Sequence, residues 1–84
     1  MGKKLAAIFS EVFEELNRAR KLYTAFNSNH EGYATLLEEL DELWDEIKKS
    51  KPRESTEDIR KEAIQVAAMA IRFVLDRCDN TGQG

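Results

Sequence analysis

Apolar residues in the first part of the chain fall at Leu5, Phe9, Val12, Leu16, Ala19, Tyr23 and Phe26, in alternating steps of four and three. That period puts them on one face of an α-helix, with Ile8, Phe13 and Leu22 widening the stripe, and predicts a first helix over residues 3–26. The stretch FNSNHEG then breaks the pattern. Within it, Ser28 followed three residues later by Glu31 has the form of a capping box, so a second helix is expected over residues 29–50. Its apolar face reads Leu36, Leu37, Leu40, Leu43, Trp44 and Ile47, and it runs out in Lys48, Lys49 and Lys51, cations suited to the negative end of a helix dipole, before Pro52 closes it. Ser55, with Asp58 three residues on, offers the next N-cap, and a third helix is predicted over residues 56–78, followed by a fraying tail, DNTGQG, at 79–84.

With no strand-like alternation, internal repeat or low-complexity segment, the pattern predicts a single all-α domain over residues 1–84, an antiparallel bundle of three helices. The third helix adds an expectation about assembly. At 100° per residue, Lys61, Glu62, Gln65, Arg72 and Asp76 share one polar stripe, while apolar residues from Ala63 to Leu75 occupy most of the remaining circumference. So wide an arc buries against more than one neighbour, and 84 residues enclose only a small core, so a homodimer or homotetramer is expected to complete the bundle.

Composition narrows the function classes. Charged residues make up 35% and hydrophobic residues 42% of the chain, with a net charge of -3, which fits a folded domain and excludes nucleic-acid binding driven by bulk positive charge. A single cysteine, Cys78, and a single histidine, His30, exclude an internal disulfide and a Cys-based zinc site. The apolar run in MGKKLAAIF is too short for a signal-peptide core, and Ala6 stands where a myristoylation motif needs Ser or Thr. A cytoplasmic protein without a membrane partner or a nucleic-acid polymer is expected.

The candidate chemistry lies in the carboxylates of the second helix. Glu38, Asp41 and Asp45 fall opposite the leucine face, whereas Glu39, Glu42 and Glu46 form a strip along one edge of it, where a packed neighbour would partly desolvate them. Asp45 and Glu46 have Lys48 and Lys49 within one turn, but Glu38, Glu39 and Glu42 have no basic residue three or four positions away. Two readings of that charge stand side by side. A cation from another helix, among Arg18, Arg20, Lys21, Arg60, Lys61 and Arg72, neutralises it; or a divalent cation does, since magnesium takes oxygen ligands and Glu62 and Gln65 on the third helix offer two more.

EELDE (Glu38 to Glu42) on one helix and EAIQ (Glu62 to Gln65) on the next resemble the EExxE and ExxD motifs of the MazG-like all-α nucleoside triphosphate pyrophosphohydrolases, and the likeness extends over about residues 28–76. The resemblance implies an obligate oligomer that hydrolyses a nucleoside triphosphate to the monophosphate and pyrophosphate with Mg2+ or Mn2+. By motif position it makes Glu39, Glu42 and Glu62 metal ligands, with Glu38 as an additional one, and Glu39 or Glu42 the acceptor of a proton from water; Asp58, one turn before Glu62 on the same stripe, is the additional ligand best placed to compensate at Gln65. Gln65 departs from the pattern, which has aspartate there; its carbonyl can still ligate but brings no charge. Asp76 is a further substitute for the missing acid, Lys61 and Arg72 are candidates to meet phosphates, and Phe26 and Tyr33 to meet a nucleobase. The rival reading is a non-catalytic helical oligomerisation or partner-binding module derived from that family, in which the same glutamates pair with arginines.

Overall fold

A computed structural model describes residues 2–49 and 55–79. These form three α-helices, α1 (Lys3–Leu22), α2 (Asn29–Ile47) and α3 (Thr56–Phe73), and α3 continues without a break into a single π-helical turn, Val74–Cys78. Lys51, Pro52 and the tail from 80 onward lie outside the described residues. No helix among the described residues is long and apolar enough to cross a membrane.

Both interior caps are those the sequence predicts, with one difference in detail. Ser28 Oγ accepts from the Glu31 N–H at 3.0 Å, and Ser55 Oγ accepts from the Asp58 N–H at 3.2 Å. The Glu31 carboxylate reaches back to the Asn27 N–H at 2.6 Å, one residue earlier than the reciprocal bond of a standard capping box. Each cap satisfies backbone donors that a helix start otherwise leaves unpaired.

The first helix stops four residues short of the expected position 26, and the reason lies in α3. Arg72 is buried, and its Nη2 donates to the Thr24 carbonyl at 2.7 Å, while the Phe26 N–H donates to Asp76 Oδ2 at 3.1 Å. Those backbone groups are engaged outside any helix ladder, and Tyr23 is already extended at φ -127°, ψ 150°. Phe26 folds back into the interior, its ring under the Arg72 guanidinium at 4.0 Å.

The ties between helices fix the topology. Arg60 near the start of α3 pairs with Glu11, and Arg72 near its end reaches Thr24, so α1 and α3 run parallel. Arg77 Nε donates to Asn29 Oδ1 at 2.9 Å at the opposite end from Glu39 and Gln65, so α2 runs antiparallel to α3. The middle position belongs to α3, which packs against both of the others. Val12, Leu16 and Ala19 of α1 meet Ala68 and Met69 of α3 in the core, with Leu36, Ile64, Ala67 and Leu75 against it. On the other side, Gly32 in the first turn of α2 sits so close to α3 that a Cβ there would lie 2.5 Å from the Phe73 ring.

Much of the apolar pattern is not covered within the chain. Leu37, Leu40, Trp44 and Ile47 form an exposed stripe along α2, with Trp44 55% exposed, and Phe9 and Phe13 of α1 are 56% and 62% exposed. Trp44 thus belongs to the apolar stripe of α2 but not to the core of the single chain.

Candidate metal-binding site

Because α2 and α3 are antiparallel, an i, i+3 pair on each helix can meet face to face. Glu39 and Glu42 on α2 and Glu62 and Gln65 on α3 do so. One carboxylate oxygen from each of Glu39, Glu42 and Glu62 lies within 4.8 Å of the other two. With the Gln65 amide oriented so that donors face acceptors, its Nε2 donates to Glu39 Oε1 at 3.0 Å and to Glu62 Oε1 at 3.2 Å. Gln65 therefore joins the two helices through the carboxylates of Glu39 and Glu62.

The electrostatics of this group are strained. Burial pushes the Glu39 carboxyl above the usual glutamate range, and the neighbouring Glu42 and Glu62 charges push the same way. Glu62 is raised by burial first and by Glu42 next, against a smaller pull downward from Lys61. Apart from that pull from Lys61, the cations nearby are paired with other carboxylates. Among the described residues, Arg18 pairs with Glu15, Arg60 with Glu11, Arg72 with Asp76, Lys48 with Asp45 and Lys49 with Glu46, and none of these pairs includes Glu39, Glu42 or Glu62. Three glutamates and a glutamine carbonyl are an all-oxygen donor set, the kind a hard divalent cation takes. An octahedral magnesium spans about 4 Å from ligand to ligand across the ion, so the three oxygens, within 4.8 Å of one another, would draw closer together to hold one.

The other predicted site residues divide into those beside the cluster and those engaged elsewhere. Glu38 is exposed and borders a cleft next to Glu39. Asp58 and Lys61 are exposed along a smaller cleft, one turn before Glu62 and beside it. Arg72 and Asp76 are structural in this arrangement: Nε and Oδ2 are 3.5 Å apart with both side chains under 10% exposed, and together they hold the segment between α1 and α2. Tyr33 is 63% exposed on α2, whereas Phe26 reaches the larger cleft.

That larger cleft opens where α1 and α2 diverge, with Gln65, Met69 and Arg72 of α3 as its floor, and holds about 640 Å³. Glu39 and Gln65 lie at its edge. A second cleft of about 490 Å³ lies between α1 and α3, bordered by the Glu11 and Arg60 pair and by Lys61. Glu15 and Arg18 of α1 line both; the sequence named Arg18 only as a possible partner for the acidic strip and did not single out Glu15. Their i, i+3 spacing beside the buried Leu16 and Ala19 was the available signal, since that position sets them at the rim of the packed face. No protein-family model, curated protein or solved structure matches the chain.

Proposed function

We propose that the chain is a magnesium-dependent nucleoside triphosphate pyrophosphohydrolase, converting a (deoxy)nucleoside triphosphate to the monophosphate and pyrophosphate. The observation that carries this reading is the meeting of Glu39, Glu42 and Glu62 from two helices, with Glu39 at the edge of a cleft of about 640 Å³ and no protein cation paired to any of the three among the described residues. In this reading the three glutamates would hold the ion, and the Gln65 carbonyl would join them only on turning its amide over and giving up its bonds to Glu39 and Glu62. Magnesium, or manganese with the same donors, neutralises phosphate charge when bound and makes a water molecule more acidic.

The chain's own residues then orient and deprotonate. An oxygen of Glu39 or Glu42 that is not used to hold the ion accepts the proton of the water that attacks the α-phosphorus. The bond from the α-phosphorus to the bridging oxygen breaks, and pyrophosphate leaves. Phe26, Tyr23 and Met69 give the cleft an apolar side for the nucleoside.

A second copy of the chain completes the fold in this reading. The exposed stripe from Leu37 to Ile47 and the exposed Phe9 and Phe13 are large apolar side chains on faces that a subunit contact would bury. The reading of a non-catalytic helical module draws on one observation, the Gln65 amide that already ties Glu39 to Glu62 without a metal. Incubation with Mg2+ and each common nucleoside triphosphate decides between the two. Pyrophosphate release, reduced by about 100-fold or more in Glu39→Gln, is the expected result. Absence of release from every nucleotide, with no rise in melting temperature on adding Mg2+ or Mn2+, leaves the non-catalytic module.

A further inference from the structure

Resting on the hydrolase reading, we propose that Arg18 is the residue that grips the substrate's phosphates, and that Glu15 holds it in reserve until substrate arrives. Three residues border both clefts: Glu15, Arg18 and Gln65. A nucleotide with its nucleoside in the larger cleft and its terminal phosphates in the smaller one passes all three, and only Arg18 among them is cationic.

The local geometry supports a held but releasable side chain. Arg18 grips Glu15 through two bonds, Nε donating to Oε1 at 3.2 Å and Nη2 donating to Oε2. It is 54% exposed while Glu15 is 18% exposed, so the guanidinium lies on the solvent side of its partner. The Arg18 charge is held chiefly by Glu15 and feels Glu39 as well, so it already stands within electrostatic reach of the carboxylate cluster. A planar guanidinium fits phosphate oxygens two at a time, as it now fits the Glu15 carboxylate. Of the other cations nearby, Arg72 is buried and bonded to Thr24 and Asp76, Arg60 is tied to Glu11 between α1 and α3, and Lys61, exposed along the smaller cleft, borders that cleft alone and offers a point charge in place of a fork.

Exchange of Glu15 for phosphate gives the two partners opposite signatures. Arg18→Met is expected to weaken binding of a non-hydrolysable α,β-methylene nucleoside triphosphate, measured by calorimetry with Mg2+, by about 10- to 100-fold. Its affinity for Mn2+ alone should stay equal or rise, because a positive charge near the carboxylates has gone. Glu15→Gln should tighten binding of the analogue by about 2- to 5-fold by releasing Arg18 from an exposed pair, and Arg18→Lys should fall between wild type and Arg18→Met. Thermal melts of each variant establish that it is folded. Affinities of Arg18→Met and Glu15→Gln within twofold of wild type would overturn the proposal. Wild-type protein that binds the analogue but releases no pyrophosphate from any nucleotide defeats the hydrolase reading alone, with Arg18 still judged by its affinity change. Wild-type protein that does not bind the analogue defeats both.

Discussion

Glu39 and Glu62 make the carboxylate cluster a pH-dependent element. Both carboxyls are raised above the usual glutamate range, so over the interval from that range up to their raised values the folded chain keeps protons that the unfolded chain releases. The stability they confer is present at the acid end of that interval and is lost as pH climbs through it. In EDTA, the melting temperature of wild type relative to Glu39→Gln is therefore expected to fall as pH rises above the usual glutamate range, and Mg2+ should flatten the fall. At pH 7.5 without metal, Glu39→Gln removes a like-charge contact worth about 0.5 kcal/mol and should melt about 2–4 °C higher than wild type. A lower melting temperature in the variant would mean that the carboxylate is already compensated within the protein. A scan of melting temperature against pH for the two proteins makes the measurement.

At the level of the helices, the junction of α2 with α3 and the α2 cap carry the stability. Gly32→Ala places a methyl 2.5 and 2.8 Å from two Phe73 ring carbons and 3.1 Å from Phe26, and should cost about 1–3 kcal/mol, read from denaturant unfolding. Ser28→Ala removes the acceptor for the Glu31 N–H and should cost about 1 kcal/mol in the same assay. The Ser28 and Ser55 caps were legible in the sequence because a cap is a relation between residues three apart. The strip of Glu39, Glu42 and Glu46 was legible for a similar reason, since helical period alone places it beside the leucines. The end of α1 was not, because it depends on Arg72 and Asp76 meeting Thr24 and Phe26 across 48 and 50 positions. The polar stripe of α3 likewise reads as one uniform face, yet packing divides it into an open half at Glu62 and a sealed half at Arg72.

For the molecule as a whole, periodicity identified apolar faces but not which neighbour covers each one. Trp44 and Leu40 share a stripe with Leu37 and Ile47, and all four remain exposed on the single chain. A second subunit over that stripe predicts that Leu40→Glu, and separately Trp44→Glu, lowers the sedimenting mass to that of one chain while Mn2+ affinity persists if the cluster needs only one subunit. A wild-type sedimenting mass equal to one chain would remove the oligomer from the proposal. The central position of α3 has a consequence for misfolding. The same rod presents Ala68 and Met69 to the interior and Glu62 and Gln65 to α2. A slip of one residue rotates it by about 100°, pulling the interior side chains out and turning the acidic pair away in one motion. A slipped chain thus loses its interior packing and the meeting of its acidic side chains together, two defects from a single displacement.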